Sequence, residues 1–169
     1  AVFILTHGRP KQQHTTRSLM NSNYTGDIYY IVDDEDSCLA EYKEIYGDKV
    51  CVFSKHKIAL EFDEMGIFKD KKSIAYARNA NFEIAKDLGI DYFWQLDDDY
   101  TSFDYSFDDK KEYITANTTF KDIDKKIYKA LDKVNSYLLR MKDLCEEDEH
   151  YIQIDAPNEV FLLLTRVVG

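Results

Sequence analysis

Three consecutive aspartates follow a short hydrophobic segment near the middle of this 169-residue chain. The segment YFWQL is followed directly by Asp97, Asp98 and Asp99. Adjacent carboxylates repel one another, so such a run is stabilised when a positive charge lies among them. Carboxylate oxygens suit Mg²⁺ or Mn²⁺ as ligands. The run therefore predicts a divalent cation bound by Asp97 and Asp99, although a solvated acidic turn could have the same sequence.

Polar residues also follow two earlier hydrophobic segments. The segment AVFILT ends at Thr6 and is followed by HGRP, which contains Arg9. The segment DIYYIV is followed by DDEDS, which begins with Asp33 and Asp34. In an open α/β sheet, the ligand crevice lies beyond the carboxyl ends of the strands. We therefore expect these residues to lie close to the three aspartates.

Arg78 and Asn79 lie within the first two turns of a predicted helix over residues 73–89. A helix that connects parallel strands runs antiparallel to them, so its N-terminus returns to the edge that carries the aspartates. The helix dipole favours an anion there, and the planar guanidinium of Arg78 can pair with a phosphate. The structural alternative for Arg78 is a salt bridge at the surface.

The elements that would position these residues are strands that alternate with helices. Hydrophobic segments predict strands over residues 1–6, 27–32, 49–53 and 91–96, and helical spacing predicts helices over 37–47 and 73–89. This alternation predicts a mostly parallel α/β sheet flanked by helices. Ser37 is the expected N-cap of the first helix and Gly47 its C-terminal stop. Capping by Asp36 and Ser37 is the structural alternative to a ligand-binding role for DDEDS.

Two stretches lack this regularity. Residues 54–72 show no clear periodicity and predict a long loop, which in a compact domain is usually mobile or functional. Beyond Phe103 the sequence predicts a strand pair, a helix from about Asp122 to Leu144 and closing strands, a less regular α+β arrangement. No linker composition divides the chain, so we expect one domain.

Composition narrows the possible partners. The chain has 22 basic and 32 acidic residues and a net charge of -10, which argues against a broad basic surface for nucleic acid. A local patch is still compatible with the lysines of KHK and KDKK, namely Lys55, Lys57, Lys69, Lys71 and Lys72. The three cysteines form no CxxC pair, which favours a reducing cytoplasm. The five apolar residues at the N-terminus are too few for a signal peptide or a membrane span.

The motifs THGRP, VDDED, ARNANFEIAKDLG and WQLDDD occur in this order over about Ala1 to Phe103. Their order resembles the nucleotide-sugar half of GT-A-fold glycosyltransferases, in which a DxD motif follows a hydrophobic strand. More narrowly, it resembles the TET-associated glycosyltransferases of bacteriophages, which are related to enzymes that decorate modified bases in DNA. The resemblance implies a GT-A-like (Rossmann-like) fold, with a nucleotide-sugar-binding half over residues 1–103 and an acceptor-side half over residues 104–169.

The resemblance also implies a donor, a cofactor and an acceptor. The donor would be a uridine diphosphate sugar, the cofactor Mn²⁺ or Mg²⁺, and the acceptor a hydroxymethylated pyrimidine in DNA, in the host cytoplasm for a phage enzyme. The implied roles are nucleotide binding by Thr6, Arg9, Asp33 and Asp34, diphosphate or sugar binding by Arg78 and Asn79, and binding of the metal and the donor's ribose or sugar by Asp97, Asp98 and Asp99.

Other protein classes share some of these features. LDDDYT also matches the aspartyl-nucleophile motif of haloacid-dehalogenase-like phosphatases, but that motif normally opens the fold, and no later GDxxxD follows here. A nucleotidyltransferase is disfavoured because THGRPKQQ has a single glycine where amides that bind phosphate would need several. A non-catalytic module that binds a nucleotide sugar stays open as an alternative.

No motif identifies a catalytic base. Asp155, which follows a predicted strand in QIDAP, is a candidate, and a turn-initiating aspartate is the structural alternative. The four histidines, His7, His14, His56 and His150, have no metal-binding spacing, and we expect surface or loop positions for them. His150 is the late candidate for an additional metal ligand.

Overall fold

The structure, a computed structural model, describes residues 1–62, 74–107 and 113–131. These residues belong to two compact units, one over Ala1–Ser102 and one that begins at Phe103. In chain order the first unit contains β1 (Val2–Leu5), α1 (His14–Asn21), β2 (Ile28–Asp33), α2 (Leu39–Tyr46), β3 (Val50–Phe53), α3 (Lys55–Phe62), α4 (Ala75–Asp87) and β4 (Trp94–Asp97).

The four strands of the first unit form a parallel sheet in the order β3-β2-β1-β4. β1 is central, and its register places Leu5 beside both Ile31 of β2 and Asp97 of β4. All four residues of β1 are buried, as expected for a strand covered on both faces. The prediction of an α/β, Rossmann-like parallel sheet flanked by helices is confirmed. Parallel pairing also brings the residues after Leu5 and Asp97 to the same edge.

Helices cover both faces of this sheet. Phe3 and Leu5 of β1 belong to a buried cluster that includes residues of α3 and α4, such as Ile58 and Ala80. Successive side chains of a strand point to opposite faces, so Val2 and Ile4 face the other layer. On that layer, Thr16 of α1 hydrogen-bonds to Tyr30 of β2, and the ring of Tyr46 of α2 stacks on Tyr30 at 3.8 Å. The sheet is therefore the middle of three layers.

The start of α2 differs from the sequence-based expectation. The N-cap is Cys38, not Ser37, and no side chain caps the first turn. Asp36 Oδ1 instead accepts a hydrogen bond from the backbone N–H of Cys38 at 2.7 Å. The helix stops at Gly47 as predicted, and the φ of 58° there lies in the left-handed region that glycine adopts without strain.

Two further helices were not predicted. α1 buries Thr15, Thr16 and Leu19. Because two of these three residues are polar, the sequence lacks the apolar periodicity that indicates a helix. α3 begins within the stretch that was expected to be a loop. It was not predicted because only two adjacent buried residues, Ile58 and Ala59, indicate it, and such a pair is too short to show helical periodicity. Residues 63–72 of that stretch, and the first residue of the helix predicted after it, lie outside the described residues.

The second unit opens with β5 (Phe103–Phe107) and β6 (Tyr113–Thr118), which pair antiparallel and confirm the predicted strand pair. Residues 120–131 are helical, within the region where a helix was predicted. The predicted closing strands lie outside the described residues, as do Asp155 and His150. The division into a donor half and an acceptor half stays a prediction. In the described part of the chain, no helix combines the length and the apolar character needed to cross a membrane.

Candidate functional site

Side chains from neighbouring strand ends meet in a cleft of about 590 Å³ at the carboxyl edge of the sheet. Its size suits a small-molecule ligand. The polar lining consists of Thr6, His7, Arg9, Asp33, Lys55, Asp97, Asp98 and Asp99. The apolar lining consists of Leu5, Ile31, Phe53, Ile74 and Ala77. Each of the four strands contributes to this lining, either from its own residues or from those that follow it directly, as the strand-end rule predicts.

Asp98 is the most buried of the three consecutive aspartates, with 1% of its surface exposed. Arg9 Nη2 donates a hydrogen bond to Asp98 Oδ1 at 2.6 Å, and Thr6 Oγ1 donates to Asp98 Oδ2 at 2.7 Å. Both carboxylate oxygens therefore have partners inside the protein. The effect of Asp98 is to hold the hydroxyl of Thr6 and the guanidinium of Arg9 at the edge of the cleft.

A buried hydrogen-bond network surrounds Thr6. Gln13 Nε2 donates to Thr6 Oγ1 at 2.8 Å, and the Tyr42 hydroxyl lies 2.8 Å from the same oxygen. Because the Thr6 proton goes to Asp98, Tyr42 must donate to Thr6. Tyr42 accepts in turn from the backbone N–H of Arg9 at 2.9 Å. Burial raises the pKa of Tyr42, so its hydroxyl stays protonated for this role.

The backbone that carries the aspartates is held by α1. The Thr15 hydroxyl donates to the carbonyl of Asp97 and accepts from the backbone N–H of Tyr100 at 2.9 Å. The backbone N–H of Thr15 donates to the carbonyl of Asp98 at 3.1 Å. The first turn of α1 therefore fixes the course of the chain from Asp97 to Tyr100.

At the β2 edge, donors within the protein satisfy the carboxylates. Asp33 Oδ2 lies 2.8 Å from His7 Nδ1, and Asp33 Oδ1 lies 2.9 Å from Lys55 Nζ. Asp36 Oδ2 accepts from the backbone N–H of Gly8 at 2.7 Å and lies 3.3 Å from the same nitrogen of His7. Burial alone would raise the pKa of Asp33, but the hydrogen bonds from Lys55 and His7, together with the charge of Lys55, lower it below its usual value.

His7, Asp33 and Asp36 together offer three atoms that could bind a metal ion, all within 4.8 Å of one another. The same two carboxylates already accept from Lys55 and from the amide of Gly8. The ammonium of Lys55 and the amide of Gly8 stabilise these carboxylates without a metal ion. The linear spacing of His7 could not reveal this group, because its members come from two different strand ends.

At the β4 edge, the carboxylates have fewer partners. Asp97 Oδ1 is buried and has no hydrogen-bond partner among the described residues. Asp97 Oδ2 lies 3.7 Å from Arg78 Nη2 and 3.4 Å from the Tyr100 hydroxyl, both long contacts. Asp99 is exposed and lines the same cleft. A buried carboxylate oxygen without a donor and a second carboxylate that lines the same cleft are the type of ligand that a hard divalent cation binds.

The structure brings together six of the nine predicted substrate and metal residues as lining of the cleft. They are Thr6, Arg9, Asp33, Asp97, Asp98 and Asp99. The other three lie outside this lining. Arg78 reaches the site only through its long contact with Asp97, Asn79 is half-buried on α4, and exposed Asp34 accepts from the backbone N–H of Lys55 at 3.3 Å. The ligand-binding roles of all nine stay predictions.

Sequence reasoning did not assign a site role to two polar residues of the cleft, His7 and Lys55. Each lies two residues after the end of a strand. The rule that ligands bind beyond the carboxyl ends of the strands would have identified both, had it been applied to every residue at those ends. Lys55 was expected in a basic surface loop, but its side chain is 17% exposed and pairs with Asp33. Lys57 of the same loop pairs with Glu83 at 3.2 Å. Lys69, Lys71 and Lys72 lie outside the described residues.

Comparison with known proteins gives one family. A family model described as TET-Associated Glycosyltransferase matches residues 1–155. Neither a curated protein nor a solved structure gives a significant match to the chain. The family match includes every residue of the cleft and the part of the second unit that the structure describes.

Proposed function

This chain belongs to the TET-associated glycosyltransferases, and we propose that it transfers a sugar from a uridine diphosphate sugar to a hydroxyl group with the help of a divalent cation. The family assignment makes the protein a glycosyltransferase, an enzyme that acts on an activated sugar donor and an acceptor. The cleft at the carboxyl edge of the sheet is the proposed donor site, and the cytoplasm is the proposed location of the reaction.

The unpartnered oxygen of Asp97 is the observation that carries the proposal of a metal. A buried carboxylate oxygen without a donor costs folding free energy, and a cation shared with Asp99 would remove that cost. Mn²⁺ and Mg²⁺ both accept such oxygen ligands. When bound, the cation would neutralise negative charge on the departing diphosphate.

The remaining residues of the cleft would bind and orient the donor. Asp98 engages Arg9 through one guanidinium nitrogen, which leaves other N–H groups of this half-exposed side chain for phosphate oxygens. Arg78 at the rim would add a second cation for the diphosphate, with Asn79 beside it for the diphosphate or the sugar. Thr6, Asp33 and Asp34 would contact the nucleoside.

The proposed acceptor is a hydroxymethylated pyrimidine in DNA. Glycosyl transfer needs a nucleophilic hydroxyl, which a hydroxymethyl group supplies and an unmodified pyrimidine base does not. The resemblance to phage enzymes related to DNA base modification supports this acceptor. Asp155, outside the described residues, stays the candidate for the base that receives the hydroxyl proton.

Mass spectrometry of DNA after incubation with isotope-labelled UDP-hexose and Mn²⁺ tests the proposal. We expect a labelled hexose on duplexes that contain hydroxymethylated pyrimidine and none on the unmodified duplex. Asp99→Asn should abolish the transfer, whereas Asp91→Asn, an exposed aspartate outside the cleft, should not.

Other outcomes of this experiment are equally informative. Transfer to a small sugar or a protein, with no hexose on DNA, would keep the transferase and discard the DNA acceptor. Metal-dependent binding of UDP without turnover on any acceptor would instead indicate a nucleotide-sugar-binding module.

A further inference from the structure

His7 lines the cleft, and one of its two ring nitrogens is bound to the protein. Its Nδ1 faces the buried carboxylates of Asp33 and Asp36, at 2.8 and 3.3 Å. The side chain is 65% exposed and lines the cleft. Nε2 lies on the opposite side of the imidazole ring, and it has no hydrogen-bond partner among the residues described. A bound ligand can therefore reach it.

The carboxylates determine which nitrogen of His7 carries the proton. Ionised carboxylates only accept hydrogen bonds, so Nδ1 must be the donor to Asp33. In a neutral imidazole with the proton on Nδ1, Nε2 carries a lone pair and acts as an acceptor. In this neutral form, His7 offers the cleft one acceptor, and the bond between Nδ1 and Asp33 fixes its orientation.

The surroundings of His7 suit a flat heterocycle. Ile31 of β2 and Phe53 of β3 line the cleft on the same side of β1 as Asp33, and Ile74 and Ala77 add apolar surface from the start of α4. Lys55 lies on this side too, bound to the other oxygen of Asp33. The metal ligands proposed above lie across β1, at the end of β4. A nucleoside on the His7 side would place its diphosphate towards Arg9 and the β4 edge.

We infer that His7 selects the nucleobase of the donor by accepting a hydrogen bond from a ring N–H of that base. Uracil offers such a donor at N3 and guanine at N1. Cytosine at N3 and adenine at N1 present a lone pair, which would face the lone pair of Nε2 with no proton between them. This inference rests on the proposed use of a nucleotide donor and adds the residue that decides which base is accepted.

Calorimetric titration of the wild-type protein with UDP, CDP, GDP and ADP in the presence of Mn²⁺ tests the inference. We expect UDP to bind at least about 10-fold more tightly than CDP, the effect of one hydrogen bond gained and one unpaired polar contact avoided. N3-methyl-UDP, which lacks the N–H, should lose a similar factor. 5-Methyl-UDP keeps the N–H and should bind like UDP.

A substitution at His7 tests whether this residue causes the preference. The amide of a glutamine can turn to offer either a donor or an acceptor, so His7→Gln should bring UDP and CDP to within about threefold of each other. The matched control is His14→Gln, at the exposed start of α1, which should keep the wild-type ratio. If His7→Gln does not fold, the comparison of UDP with N3-methyl-UDP on the wild type still decides.

The outcomes separate this inference from the proposed donor. Equal binding of UDP and N3-methyl-UDP, or an unchanged UDP to CDP ratio in a folded His7→Gln variant, would overturn the role of His7 and leave a uridine donor intact. Binding of GDP in preference to UDP, CDP and ADP would refute the uridine donor and support His7. Tightest binding of CDP or ADP, or no binding of any of the four, would refute both.

Discussion

The β2 and β4 edges of the cleft have similar acidic sequences, but they differ in how many of their carboxylate oxygens have a donor within the protein. At β2, Asp33 and Asp36 accept from two side chains and from backbone amides, so their charge is compensated within the protein. At β4, Asp98 is equally well satisfied, whereas one oxygen of Asp97 is buried without a donor and Asp99 is exposed.

The comparison of the two edges indicates that the number of acidic residues does not define a cation site. What matters is whether donors of the same chain already reach the carboxylate oxygens. DDED and DDD would each suggest a metal by composition, but an external cation has most to compensate at the β4 edge. Even there, both carboxylate oxygens of Asp98 already have donors within the protein, and only Asp97 and Asp99 are available to bind a cation.

The largest expected effect concerns that middle aspartate. Asp98→Ala removes two hydrogen bonds and leaves the buried hydroxyl of Thr6 and the guanidinium of Arg9 without their acceptor. We expect a loss of about 3 kcal/mol in the free energy of unfolding, measured by urea denaturation. Asp99→Ala, at the exposed neighbour, should stay within about 0.5 kcal/mol of wild type. Equal losses in both variants would contradict the distinction between the three aspartates.

The second prediction concerns the cation. UDP at about 100 times its dissociation constant should raise the free energy of unfolding by about 2.7 kcal/mol when Mn²⁺ is present, and far less after chelation. Asp97→Asn should lose this metal-dependent stabilisation without destabilising the apo protein, because it discharges a carboxylate with an unpartnered oxygen. Thermal melts with and without chelator measure both effects. A metal-independent shift of the same size would argue against a cation at the β4 edge.

The β2 edge should instead respond to pH. The pKa of Asp33 is lower in the folded protein than its usual value, so this group stabilises the fold above its unfolded pKa of about 3.9. That contribution is lost as the pH falls through the folded pKa. The difference in unfolding free energy between wild type and Asp33→Asn should therefore be larger at neutral pH than in acid.

A matched control for this test lies at the surface. Asp27 also has a lowered pKa, caused by its hydrogen bond with Lys49, but the side chain of Asp27 is 64% exposed and that of Lys49 is 40% exposed. Screening by water and salt should make the pH dependence of Asp27→Asn smaller than that of Asp33→Asn. If the difference in unfolding free energy between wild type and Asp33→Asn did not change with pH in acid, the charge of Asp33 would not contribute to stability.

The smallest effect on stability is expected at Arg78. Its contact with Asp97 is long, at 3.7 Å, and the Arg78 side chain is 52% exposed, so Arg78→Lys should change the unfolding free energy by less than about 0.5 kcal/mol. Donor binding should nevertheless weaken, because lysine keeps the charge and loses the planar fork that matches a phosphate. Calorimetry with UDP and Mn²⁺ measures this. Unchanged affinity would leave Arg78 as a surface ion pair.

The parts of the fold that the sequence predicted are those with a regular hydrophobic pattern. The four strands and α4 follow apolar segments that end at turn residues, and the parallel arrangement then places Thr6, Asp33 and Asp97 at one edge. α1 could not be predicted in this way, because its buried face consists largely of threonines that hydrogen-bond to β2 and to the aspartate loop, residues 97–100. Those bonds exist only in the folded chain.

The roles within the site were harder to predict than its location. Adjacent letters cannot tell which carboxylate meets a donor, since the partners of Asp98 lie 92 and 89 residues away in the chain. His7 and Lys55 share Asp33 although they come from the ends of different strands. Such pairings depend on strand order, and periodicity does not encode strand order.

The bonds between Thr15 and the aspartate loop have a consequence for motion. The amide hydrogens of Thr15 and Tyr100 are both bonded within this contact, so neither can exchange with solvent until α1 separates from the end of β4. Loops usually open locally at little cost in free energy, but here opening must break packing in the interior, because Thr15 is fully buried. Deuterium should enter these two amides about as slowly as it enters the central strand. The carboxylates at the β4 edge are then carried by one of the slowest-opening parts of the molecule, and ligands would come and go past a backbone that stays in place.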